Sequence, residues 1–87
     1  MPHYMTVHNE PSVTREEMGR RWVEMAKERR AYWIKTWYNV EAGRRYCWWD
    51  APKTDVLKEV FKYYNVTYDE IIEVELTTPA DWRWRED

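Results

Sequence analysis

The chain has 87 residues, of which 34% are charged and 17% aromatic, with a formal net charge of −2. That length allows one domain near the lower limit for a self-sufficient core, and the slightly acidic balance excludes a nucleic-acid or anionic-membrane surface built on bulk charge. A single cysteine, Cys47, excludes an internal disulfide and any CxxC metal or redox motif. No apolar run approaches a membrane span, and the opening MPHYMTVHNE has neither the basic nor the apolar region of a secretory signal. A soluble, cytoplasmic protein is expected.

Residues 3–8 alternate as a short strand, which Asn9, Glu10, Pro11 and Ser12 break. Thr14 and Glu17 fit a capping box, with Val13 and Met18 at the positions of a hydrophobic staple, so a helix is predicted over about 14–31. Its charges alternate in sign, as on a solvated face. Residues 32–40 and 44–50 read as the two strands of a hairpin turning at Gly43. Ala51-Pro52 opens a second helix whose apolar stripe is Val56, Leu57, Val60, Phe61 and Tyr64, with Asn65 as its stop. A last strand covers about 69–77. The β-α-β-β-α-β order is the ferredoxin-like α+β plan. It predicts an antiparallel four-stranded sheet, ordered 4-1-3-2, with both helices on one face. The domain is expected to span 1–77, with 78–87 as a C-terminal contact arm carrying Trp82 and Trp84.

Matching the most aliphatic set of each strand to the helices places Met5, Val7, Ile34, Thr36, Tyr38, Cys47, Trp49, Ile72, Val74 and Leu76 inward. Alternation then sends Tyr4, Thr6, His8, Trp33, Lys35, Trp37, Tyr46, Trp48, Ile71, Glu73 and Glu75 to the open face. That face is too aromatic to leave to water, so dimerisation is expected, closing a cavity around Tyr4, Trp37, Tyr46 and Trp48. His8 with Glu73 is the candidate ligand pair for a divalent transition metal (nickel, copper or zinc), a second subunit supplying further ligands. Cys47, on the opposite face from His8, is expected to be a core residue.

Several short motifs resemble a small bacterial family of ferredoxin-like proteins, some described as nickel-binding. They are Val7-His8 with Pro11-Ser12-Val13-Thr14, Thr36-Trp37-Tyr38, Tyr46-Cys47 with Asp50-Ala51-Pro52, and Asp69-Glu70-Ile71-Ile72-Glu73-Val74. The resemblance implies the same fold, dimerisation and transition-metal binding. The nickel-binding members carry histidines on the helices, where this chain has Arg20-Arg21-Trp22-Val23 and Val60-Phe61-Lys62-Tyr63-Tyr64. Those aromatic replacements point instead to an organic ligand or a protein partner. Three readings follow: a dimeric binding or accessory protein, a cofactor-free cavity enzyme of the isomerase, cyclase or monooxygenase type, and a structural subunit of a larger complex.

Overall fold

The computed structural model describes residues 1–85, with side chains through Trp82. Seven elements follow in chain order: β1 (His3–Asn9), α1 (Arg15–Met25), β2 (Tyr32–Asn39), β3 (Arg44–Asp50), α2 (Thr54–Tyr63), β4 (Glu70–Val74) and a 3-10 segment, Pro79–Arg85. The strands form one sheet in the order β2-β3-β1-β4, with every neighbouring pair antiparallel. This is the ferredoxin-like fold expected from the element order. Among the described residues no helix is long and apolar enough to cross a membrane.

Local chemistry sets the element ends. The Thr14 hydroxyl accepts from the Glu17 amide at 3.1 Å, capping α1, and Val13 and Met18 are both buried beside it. Helix α1 stops at Met25, short of the predicted end near 31. After Met25 the chain leaves the helix through tight turns, the Lys27 amide donating to Glu24 and the Glu28 amide to Met25, and buries Glu28 and Ala31. Helix α2 ends in a Schellman motif: Asn65 takes φ 58°, its amide donates to Lys62 and the Val66 amide donates to Phe61. Pro52 precedes α2 rather than opening its first turn. The tail after β4 coils into the 3-10 segment. Asp81 accepts from the Thr78 amide at 2.6 Å to start it.

The strand faces differ from the aliphatic-inward rule. Cross-strand pairing builds three inward rows: Glu73–Tyr4–Trp49–Trp33, Ile71–Thr6–Cys47–Thr36 and His8–Arg45–Tyr38. Tyr4 is 2% exposed and His8 1% exposed, both beneath the helices rather than on the open face. In β4, likewise, Ile71 and Glu73 share the inward phase, and Ile72 and Val74 face out. A bulge between Trp33 and Lys35 shifts the phase of β2, so Trp33 joins Thr36 and Tyr38 on the helix side. His8 and Cys47 therefore share a face, against expectation. Around these rows the core gathers Tyr4, Met25, Ala31, Cys47, Trp49, Ala51, Leu57, Val60 and Phe61.

Gly43 ties the β2–β3 turn to the β1–α1 connection. It has φ 67°, and a Cβ there would lie 2.4 Å from the Pro11 Cα. Both the left-handed backbone and the backbone-to-backbone approach demand glycine. Gly43→Ala is expected to cost at least about 2 kcal/mol of unfolding free energy in urea titration. A conservative control at the neighbouring exposed position, Ala42→Ser, should stay within about 0.5 kcal/mol of the parent.

Candidate functional site: a buried polar cluster and an open apolar sheet face

His8 sits against Phe61 of α2, ring centroids 5.5 Å apart and edge to face. Its Nδ1 lies 2.7 Å from the Thr67 carbonyl oxygen, which can only accept, so Nδ1 carries the proton. Nε2, 2.8 Å from the Thr6 hydroxyl, is then the acceptor. Both ring nitrogens are engaged within the fold. Burial, the largest influence, pushes the ring pKa below its ordinary value, outweighing the Thr67 carbonyl that favours the charged form. The neighbouring Arg45 acts in the same direction as burial. The ring is a neutral, fully hydrogen-bonded core residue.

Beside it, Glu10 joins three elements. Arg21 of α1 grips its carboxylate with two contacts, at 3.1 and 3.2 Å, and Arg45 of β3 donates to Oε1 at 2.9 Å. Burial alone would raise the Glu10 pKa, but these guanidinium hydrogen bonds outweigh it and hold the carboxyl below its usual value. Arg21, partly exposed, makes the bidentate pair, while the buried Arg45 makes a single charge-assisted contact. Sequence reasoning passed over this cluster. Its signal was Arg45, in phase with Cys47 and Trp49 along β3 and so bound to need a carboxylate partner. Cys47, 2% exposed, accepts from the Thr36 hydroxyl at 3.3 Å, and burial pushes its thiol pKa up. It is a core group with little thiolate character.

The opposite face of the sheet is apolar and open. Two rows cross it, Ile72–Met5–Trp48–Lys35 and Glu70–Val7–Tyr46–Trp37. Trp37 is 51% exposed, Ile72 48% and Tyr46 38%, values high enough to mark a contiguous uncovered patch. At one end a third row brings His3 beside Asp50, with Nδ1 2.5 Å from Oδ1. The Trp48 indole N–H lies 3.0 Å from the same nitrogen. One nitrogen cannot donate and accept at once, so a proton on Nδ1 selects Asp50 and its absence selects Trp48.

The sequence-predicted residues therefore divide. Trp37, Tyr46 and Trp48 come together on the open face, while Tyr4 and His8 lie under the helices. Glu73 is exposed on the edge strand, in Tyr4's row. Trp82 is 42% exposed in the tail, its indole donating to Thr77 at 3.2 Å, and the Trp84 side chain lies outside the described residues. A metal held by His8 and Glu73 does not fit this arrangement, because the His8 lone pair is taken by Thr6. Among the described residues no group of three His, Cys, Asp or Glu side chains could hold an ion.

Burial of neutral His8 makes stability depend on pH with a definite sign. As pH falls through about 6.5 the unfolded chain takes up a proton on this ring while the folded chain does not. Its contribution is intact above that pH and declines below it until the folded ring also titrates. The lowered carboxyls of Glu10 and Glu28 add their losses only in more acid solution. The melting temperature should fall from about pH 7.5 to about pH 5.5, with a shallower slope in His8→Gln. Equal slopes would place the effect elsewhere.

No curated protein matches the sequence. Among solved structures, the crystal structure of SCO4226 from Streptomyces coelicolor A3(2) matches with a TM-score of 0.74 and 22% identity, over 87% of this chain and 99% of that one. At that identity the likeness concerns the fold. A family model described as nickel responsive protein SCO4226-like matches residues 4–74, which takes in every strand and both helices. The chain belongs to the SCO4226-like family of nickel responsive proteins.

Proposed function

We propose that the protein is a self-associating binding protein that closes its open sheet face against a second copy. One observation carries the reading: in the two rows through Met5, Trp48, Val7 and Tyr46 no apolar side chain is fully buried, and Trp37, Tyr46 and Ile72 are exposed, although the rows hold much of the aliphatic content of the strands. Burying such side chains returns roughly 25 cal/mol per Å2 before the entropy of association is charged.

A two-fold axis running along the strands would lay the β2 edge of one copy over the β4 edge of the other, apolar row against apolar row. Residues 78–87, with exposed Trp82, join this reading as a contact arm against the same or a larger assembly. The buried thiol of Cys47 suits a reducing compartment such as the cytoplasm.

A second reading concerns nickel, and the His3–Asp50 pair favours it. That pair lies at the rim of the open face, so association would bring two imidazoles and two carboxylates to one interface. The metal of the family name is, in this reading, held between subunits rather than within one.

Sedimentation at low micromolar protein should give a dimer for the parent chain and a folded monomer for Trp37→Glu, since Trp37 is half exposed and a charge there spares the core. A parent chain that sediments as a compact monomer would sink the association. For the metal, calorimetric titration of nickel should give one ion per two chains, lost in His3→Ala and retained in His8→Gln. Loss in His8→Gln with retention in His3→Ala would overturn the shared site.

A further inference from the structure

Helix α1 buries only Met18 and Met25 against the sheet. It therefore stands off the edge strand β2 and leaves a groove of about 370 Å3 on the helix-covered side, away from the Trp37–Tyr46–Trp48 face. Its walls are Met18 and two indoles, Trp22 and Trp33. Trp33 is fixed in place: it stacks on Trp49 at 5.8 Å, planes 15° apart, and its N–H donates to the Thr36 hydroxyl at 2.5 Å. Trp22 is 54% exposed, an indole presented to the groove and to solvent rather than packed away.

Among the described residues the charged ones lining the groove are Arg15 and Lys35, the latter on the edge strand at the border of the two faces. Neither makes an ion pair among the described residues, whereas Arg20 and Arg21 on the same helix are both paired with glutamates. Gly19 completes the lining, and a Cβ built there meets nothing within 4 Å. A glycine in the middle of a helix lowers its stability relative to alanine. Here it keeps the groove open. Volume, indole walls and two uncompensated cations describe a pocket of small-ligand size with a definite charge preference.

We propose that this groove binds a small aromatic carboxylate, its ring against Trp22 and Trp33 and its anionic end toward Arg15 and Lys35. Ring stacking supplies the apolar part of the affinity, and the two cations select an anion over a neutral ring of the same size. Among the described residues no carboxylate lines the groove to compete for them. Occupancy does not require the sheet-face association, because the groove belongs to one subunit.

Calorimetric titration with 2-naphthoate tests this, with 2-naphthalenemethanol as the neutral counterpart. The parent chain should bind naphthoate saturably with one site per chain, and the alcohol roughly tenfold more weakly or worse. Arg15→Gln with Lys35→Gln should erase that difference between the two probes. Gly19→Leu should abolish binding while leaving the melting temperature unchanged or raised, since the new side chain enters open space. Trp22→Ala, at an exposed position, gives a second route to the same loss. The Trp37→Glu monomer should keep the parent affinity, so a failed association and a failed groove are read separately. No saturable binding by the parent chain, equal affinity for the two probes, or undiminished binding in both Gly19→Leu and Trp22→Ala would overturn the proposal.

Discussion

Side chains alternate along a strand, so placing one residue of β1 places all of them. His8 is held under α2 by the Thr67 carbonyl and the Thr6 hydroxyl, and Thr6 and Tyr4 follow it inward. Met5 and Val7 must then face out. Because β1 lies between β3 and β4, its phase is passed to both neighbours through the pairing of Thr6 with Cys47 and with Ile71. Both candidate surfaces depend on that commitment. The inner side takes Thr6, His8 and Arg45 among its aromatic residues, and the open side is left with Met5, Val7, Tyr46 and Trp48.

The inner polar residues are affordable because they satisfy one another. Thr6 answers His8, Thr36 answers Cys47, and Glu10 answers Arg45 and Arg21. Three donors, Arg45 Nε and Nη1 and Trp49 Nε1, have no partner among the described residues. The cluster links the end of β1, α1 and β3, and so fixes the lower half of α1 against the sheet. Of the α1 residues along the flank beside β2, Arg15, Met18, Gly19 and Trp22, only Met18 is buried, and that flank stays open.

Much of this was legible from residue type alone. Thr14, Gly43 and Asn65 each mark a backbone event that few other residues can perform, so the element order and most boundaries could be read directly. The faces could not be read the same way. A rule that sends the more aliphatic set inward assumes a covered face and a wet one, and this sheet has two apolar faces. In β1 the decisive residues were His8 and Thr6, whose partners lie in the sheet itself and in the loop after α2. The β2 bulge is equally silent in sequence, since it puts Trp33 and Thr36, three apart, on one side. The end of α1 was overrun because Ala26, Lys27 and Glu28 are good helix formers; tertiary burial of Glu28 and Ala31 prevailed over propensity. Of the candidate site, Trp37, Tyr46 and Trp48 were found, while the Glu10 cluster and His3 were not.

The position of β1 also governs how the chain must assemble. The first strand in sequence is an interior strand of the sheet, flanked by β3 and by β4 from the far end of the fold. The β2–β3 hairpin and the two helices can form from near neighbours. The central ladder must wait for segments distant along the chain, a closure that costs loop entropy before it returns contacts. Until that ladder closes, His8, Arg45 and the outward aliphatic row all lie in water together. The step that buries the polar cluster is therefore the same step that completes the open apolar face of the sheet.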